Sequence, residues 1–189
     1  MSTARTIALT LTVLLAACGG GYAPKPRGYY RIDFPEKRYR IYDSIYPFRF
    51  NMPVYAHLSP MGQGEQGQRF MNIDIPRYRA RIHLTHLDIH GNLDLMIEDA
   101  FAMAYKHTQK ADAIDEQTYI DEQKRVYGLL YDIKGNSASS VQFFLTDSLH
   151  HYIRGALYFN CRPNKDSLAP VVQFIRADIV ELMETWEWK

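Results

Sequence analysis

The stretch RVYGLLYDIKGNSASSVQFFLTDSLHHYIRGALYF, Arg125 to Phe159, decides the fold. It holds three runs dense in aromatic and branched apolar residues: Arg125–Ile133, Ser139–Leu145 and His151–Phe159. Lys134-Gly135-Asn136 and Asp147-Ser148 separate them. Such residues fit a pleated surface, and Gly, Asn, Asp and Ser supply turns, so the stretch reads as three consecutive strands. Successive side chains of a strand point to opposite faces. Leu129 beside Leu130, Phe143 beside Phe144, and Ile153 and Leu157 against Ala156 therefore put apolar groups on both faces. A sheet that is apolar on both faces needs covering on both.

Working outward, the cover lies on either side. Downstream, Leu168, Val171, Val172, Ile175, Ile179, Leu182, Met183 and Trp186 recur at helical spacing. Asp166 or Ser167 can cap that helix, with Pro170 in its first turn, where a missing N–H costs little. Upstream, Leu93, Met96, Ile97, Ala100, Phe101, Ala104 and Tyr105 predict a helix over 93–105. Asn92 is its N-cap. Asp94, Glu98 and Asp99 suit its positive start, and Lys106, His107 and Lys110 its end. Before it, Phe48, Phe50, Met52, Val54 and Ala56 alternate with polar neighbours as a strand, and Pro53 points to a sheet edge. Ser59–Gln68 reads as a loop. Met71, Ile73 and Ile75, then Ala80, Ile82 and Leu84, mark two more strands. The order β-β-β-α-β-β-β-α predicts an α+β fold, an antiparallel β-sheet flanked by helices in an α/β/α sandwich. That order resembles PsbP/Mog1-like domains.

Ahead of residue 48 the character changes. Residues 22–50 carry seven Lys/Arg against three acids, with six tyrosines interleaved. Arg27, Arg31, Lys37 and Arg38 are candidate contacts to a partner or an anionic membrane surface. The competing reading is an arm that packs its aromatics on the domain and keeps its charges in water. At the start, Arg5 and the apolar run Ile7–Ala17 have the form of a secretory signal, too short for a spanning helix of about 20 residues. The run ends in Leu15-Ala16-Ala17-Cys18, which resembles a bacterial lipobox, so Cys18 is the expected lipidation site. Lipid chains contribute roughly 0.8 kcal/mol per buried methylene, and several together hold a protein at a membrane. Gly19 stands where lipoproteins retained in the inner membrane typically carry Asp, which favours the outer membrane slightly over the inner. No acidic run follows Cys18, which favours the periplasmic face. The expected organisation is a signal peptide over 1–17, a lipidated basic and aromatic tether over 18–47, and one domain over 48–189.

Removing residues 1–17 takes away one of 22 basic residues and none of 21 acidic ones, leaving 21 of each. That balance gives no pull toward nucleic acid. Of the two cysteines, Cys18 is committed to lipid and Cys161 reads as a small buried residue. His83, His86 and His90 invite a metal, yet on a strand positions 83 and 86 face opposite ways, so no metal and no cofactor is expected there. Arg77, Arg79, Arg81 and His83 alternate as a stripe that could dock an anionic wall polymer or simply pair with acids on a neighbouring strand. Asp147, Ser148, His150 and His151 hold the residue types of a triad but crowd one tight turn, which cannot converge them as nucleophile, base and orienter. No phosphate loop, dinucleotide fingerprint or His-Glu-x-x-His is present.

Several segments together resemble the gliding-motility lipoprotein GldD family of Bacteroidota. They are Pro24-Lys-Pro-Arg-Gly-Tyr-Tyr-Arg-Ile-Asp-Phe-Pro-Glu-Lys37, Gly135-Asn-Ser-Ala-Ser-Ser-Val-Gln-Phe143, Thr146-Asp-Ser148, Arg154-Gly-Ala-Leu-Tyr-Phe-Asn160, Pro163-Asn164 and Trp186-Glu-Trp-Lys189. The resemblance implies a non-enzymatic envelope lipoprotein facing the periplasm, needed for gliding motility. It further implies partners among gliding and type IX secretion proteins and membrane attachment through Cys18. Peptidoglycan is a further candidate contact. The alternative is an envelope enzyme or a metal-binding module acting at the peptidoglycan.

Overall fold

The computed structural model describes residues 31–64, 67–106 and 111–189, and the folded unit spans Ile32–Lys189. The expected signal peptide, Cys18 and Arg27 lie outside the described residues. The elements are β1 (Tyr39–Asp43), β2 (Phe48–Pro53), β3 (His57–Gln63), β4 (Arg69–Ile75), a 3-10 turn (Pro76–Tyr78), β5 (Ala80–Asp88) and α1 (Leu93–Tyr105). Then come β6 (Ala111–Asp121), β7 (Val126–Gly135), β8 (Ser139–Thr146), β9 (His151–Phe159), α2 (Lys165–Glu184) and β10 (Glu187–Trp188). One sheet runs β3-β4-β5-β9-β8-β7-β6 with every neighbour antiparallel, and β1-β2-β10 form a second. The fold is α+β, mostly antiparallel sheet with two helices.

The double-faced apolar pattern has the consequence read from it. Val141, Phe143, Leu145, Ile153 and Leu157 point into a cluster with Val171, Ile175, Ile179, Leu182 and Met183 of α2 and with Phe48, Phe50 and Met52 of β2. The alternate residues Tyr131, Ile133, Phe144 and Tyr152 meet Ala100 and Ala104 of α1. The two helices thus cover opposite faces. Gly155, in mid-strand opposite Phe143, is where a side chain cannot fit, because an added Cβ would overlap the Phe143 ring. Trp186 leaves the end of α2 and packs between Phe48 (4.6 Å between ring centres) and Phe50 (5.0 Å), fully buried.

Several readings change. The region expected as tether joins the fold from Ile32: β1 pairs with β2, and Phe34 stacks on Phe174 of α2 at 4.4 Å. Lys37, expected at a contact surface, reaches α2 instead. Its ammonium donates to Asp178 (2.5 Å) and to the Phe174 carbonyl (2.6 Å) and lies over the Phe174 ring. Pro53 closes a central strand rather than an edge, since β2 lies between β1 and β10. Much of the loop expected at 59–68 belongs to β3, bulged between Pro60 and Gly62. At the helices, Asn164 rather than Asp166 or Ser167 caps α2, accepting from the Ser167 N–H, and Pro170 sits one turn deeper than expected. Asn92 precedes α1, yet its side chain accepts from the His90 N–H and makes no cap bond.

Candidate functional site

Strand register assembles a polar group at one end of the large sheet. Arg69 of β4 lies opposite His86 of β5, and Asp88 of β5 lies opposite His151 of β9. Within β5, Ile82, Leu84, His86 and Asp88 share one face, the face that α2 and β10 cover, so the polar residues continue an apolar row toward solvent. The Arg69 Nη1 lies 2.9 Å from His86 Nδ1 and donates to both Asp88 oxygens at 3.3 and 3.4 Å. The His151 Nδ1 is 3.8 Å from Asp88. One ligand atom from each of His86, Asp88 and His151 lies within 4.8 Å of the others. Aromatic rings wall the group: Trp188 stacks on His151 at 5.5 Å, and Phe48 lies 5.8 Å from His86. Arg69, Asp88 and His151 also line a cleft of about 480 Å³ with Ile45, Tyr46 and Pro47 on its other side.

Charge in this group follows burial. The His86 ring is fully buried, and burial first, then the Arg69 charge, push its pKa down to about 4. It is therefore neutral at pH 7. Burial works to raise the Asp88 carboxyl, but the Arg69 hydrogen bond and charge outweigh it and hold Asp88 below the usual carboxylate range. The guanidinium beside Nδ1 makes that nitrogen the acceptor and leaves the proton on Nε2, which is buried without a hydrogen-bond partner. His151 Nδ1 is likewise buried and unpartnered. Buried polar atoms in that condition are rare.

A sequence model described as gliding motility lipoprotein GldD matches residues 19–188. The chain belongs to the GldD family. No curated protein matches it significantly. Family membership associates the chain with gliding motility and, as a lipoprotein, with a membrane. No helix among the described residues is long and apolar enough to cross one.

On this GldD-family fold the residues singled out from sequence disperse. Arg31 and Arg38 are exposed. The stripe of Arg77, Arg79 and Arg81 does not exist as a strand face. Pro76 starts a 3-10 turn, Arg79 ends it in the left-handed region (φ 50°), and only Arg81 lies on β5. Arg77 donates to the Asp33 carbonyl at 2.8 Å, and Arg81 pairs with Asp74 at 2.5 Å. His83 packs edge-on to Tyr158 on the face opposite His86, as strand alternation requires, and His90 is exposed. Asp147 accepts the backbone N–H groups of Leu149, His150 and His151, so its carboxylate holds the turn. Cys161, expected buried, is exposed beyond the end of β9. The sequence reading passed over Arg69, Asp88 and Trp188 as partners of His86. Only the register of β4 on β5, and the packing of β10 over that end of the sheet, unites them.

Proposed function

We propose that the chain is a periplasm-facing lipoprotein, held by lipid on Cys18 and sorted to the outer membrane, that acts as a non-enzymatic structural or assembly component of the gliding and type IX secretion apparatus. The observation that carries this reading is the family match, which runs from the residue after Cys18 almost to the C-terminus. The placement of the triad-like residues agrees with it. Asp147 is occupied by three backbone donors, and Ser148 donates its own N–H to the Thr146 hydroxyl. Helices over both sheet faces fit the PsbP/Mog1-like layering expected from element order.

The partners are other envelope proteins of the same machinery, with peptidoglycan as a further contact, and the exposed basic residues Arg31 and Arg38 with Arg27 are the first place to look. Lys37 is not part of that surface, because its ammonium is held by Asp178 and the Phe174 carbonyl of α2. Replacing Arg27, Arg31 and Arg38 together by Gln should leave a folded, lipidated protein while gliding and secretion fall and crosslinks to envelope partners are lost. Cys18→Ser should release the protein from membranes and abolish function without unfolding it. Normal gliding and secretion by a membrane-released Cys18→Ser protein would overturn the anchored role.

A further inference from the structure

We propose that His86, Asp88 and His151 bind one divalent transition-metal ion of the zinc class, with open coordination positions facing the cleft beneath Tyr46 and Pro47. The site is independent of the assembly role and stands on its own geometry.

Three ligand-bearing side chains converge. Two imidazoles and one carboxylate from adjacent strands bring ligand atoms within 4.8 Å of one another. Zinc bonds of about 2.0–2.2 Å in tetrahedral geometry place ligand atoms roughly 3.3 Å apart, so closing the site needs only side-chain rotation. Strand positions fix the Cα atoms, and the Trp188 ring against His151 limits the tilt of its imidazole.

One of the imidazole nitrogens at the site has no partner. His151 Nδ1 is buried without a hydrogen-bond partner and lies 3.8 Å from Asp88, and His86 presents Nδ1 to the same space that Arg69 fills. A buried imidazole normally satisfies both nitrogens, and metal ligation is one way to do so. Two nitrogens and one carboxylate oxygen suit first-row metals such as zinc. Calcium and magnesium require mostly oxygen.

The Arg69 guanidinium contacts both His86 and Asp88, so a cation already occupies the space between them. A metal must displace it. Arg69 has 31% of its side chain exposed and lines the cleft, so rotation outward moves its charge into solvent. Arginine and metal then exclude one another. Arg69 holds the donors together without metal and lowers the affinity for it.

The test uses the full lipidated chain in detergent, stripped with chelator and titrated with Zn²⁺ by calorimetry and with Co²⁺ by visible absorption. One equivalent should bind. Asp88→Asn and His151→Ala should each weaken binding at least about tenfold, since each removes a direct ligand and even outer partners matter by that much. Both residues lie at the rim, so these variants should stay folded without metal, whereas His86 variants disturb the core. Arg69→Gln should tighten binding, and His83→Ala with His90→Ala should leave it unchanged. Absence of one-to-one binding would overturn the proposal. So would wild-type affinity in both rim variants, weaker binding in Arg69→Gln, or loss of binding with His83 and His90.

Discussion

The two faces of the seven-stranded sheet carry different loads. On the α2 face, aliphatic and aromatic side chains from the sheet, β2 and α2 interlock around the fully buried Ile175, Ile179 and Trp186. On the α1 face, the helix contributes only Ala100 and Ala104 as buried residues among the described ones, while Leu95, Phe101 and Met103 are 62%, 48% and 42% exposed. Stability scales with apolar area removed from water. Both helices are amphipathic by sequence, yet the large side chains of α1 that pack on the sheet, Leu93, Met96, Ile97 and Tyr105, are only partly buried, whereas Ile175, Ile179 and Leu182 of α2 are fully buried. The α2 face therefore sets the global stability, and α1 rests on it with a smaller margin.

Placing the same charge on each helix separates the two faces by the largest margin. Ile179→Asp puts an unpaired carboxylate in the α2 core, at a cost of several kcal/mol. Small domains hold only about 5–15 kcal/mol in all, so this variant should unfold or fail to accumulate. Leu95→Asp on α1 should shift stability by no more than about 0.5 kcal/mol. Denaturant titration of both decides it, and equal losses would show that the two faces share the load.

A second test asks whether residues 32–47 belong to the strong side. Asp178 is 2% exposed and accepts from Lys37, from Tyr39 (3.0 Å) and from Tyr55 (2.5 Å). Burial, then the Asp178 charge and hydrogen bonds, raise the pKa of both tyrosines, and burial lowers that of Lys37. Asp178→Ala leaves the Lys37 ammonium and two hydroxyls without their acceptor, at a cost of about 3 kcal/mol. The segment should then detach, so trypsin should cut at Lys37 and Arg38 well before it cuts the wild type. Unchanged proteolysis there would return residues 32–47 to the role of a passive tether.

How much of this was legible depended on which face a residue serves. The strands within 125–159 and both helices appear within a few residues of where periodicity put them, because buried faces demand apolar side chains at fixed intervals. Edge strands carry no such demand. The β6 sequence Ala-Asp-Ala-Ile-Asp-Glu-Gln-Thr-Tyr-Ile-Asp is mostly exposed, and β3 holds Pro60 and Gly62, so neither shows alternation. The position of Asp178 was a readable signal, a lone acid within the apolar stripe of α2, but its partner Lys37 lies 141 residues away. The His86 cluster was half readable. Alternation correctly separated His83 from His86, while Asp88 and His151 meet only through β5–β9 register, which no local spacing encodes.

The strong face also has a weak point that pH exposes. The His86 imidazole titrates at its ordinary pKa of 6.5 in the unfolded chain and at about 4 in the folded one. As pH falls below 6.5 the unfolded chain takes up the proton first. The stability tied to neutral His86 is complete above 6.5 and is lost down to about 4, a total of about 3 kcal/mol. Carboxylates held below their usual range, such as Asp74, Asp88 and Asp147, withdraw their contribution only at lower pH, below about 3.8. Melting temperature should therefore fall between pH 6.5 and 4, and His86→Gln should flatten that slope. A slope unchanged by His86→Gln would place the acid sensitivity elsewhere.

A single hydrogen bond is the most informative about α1. The Tyr152 hydroxyl donates to the Met96 carbonyl at 3.2 Å, joining β9 to the first turn of α1. Tyr152 itself is buried, and its ring stacks on Phe144 at 5.6 Å, so Tyr152→Phe keeps the packing and removes only the hydrogen bond. The expected loss is about 1 kcal/mol, a factor of about five in an opening equilibrium. If α1 opens independently of the α2 face, its amides should exchange with solvent about fivefold faster in the variant while those of α2 stay as they were. If α1 and α2 amides accelerate together, the two faces unfold as one cooperative unit. The thin α1 cluster would then be as much a part of global stability as the interlocked core beneath α2.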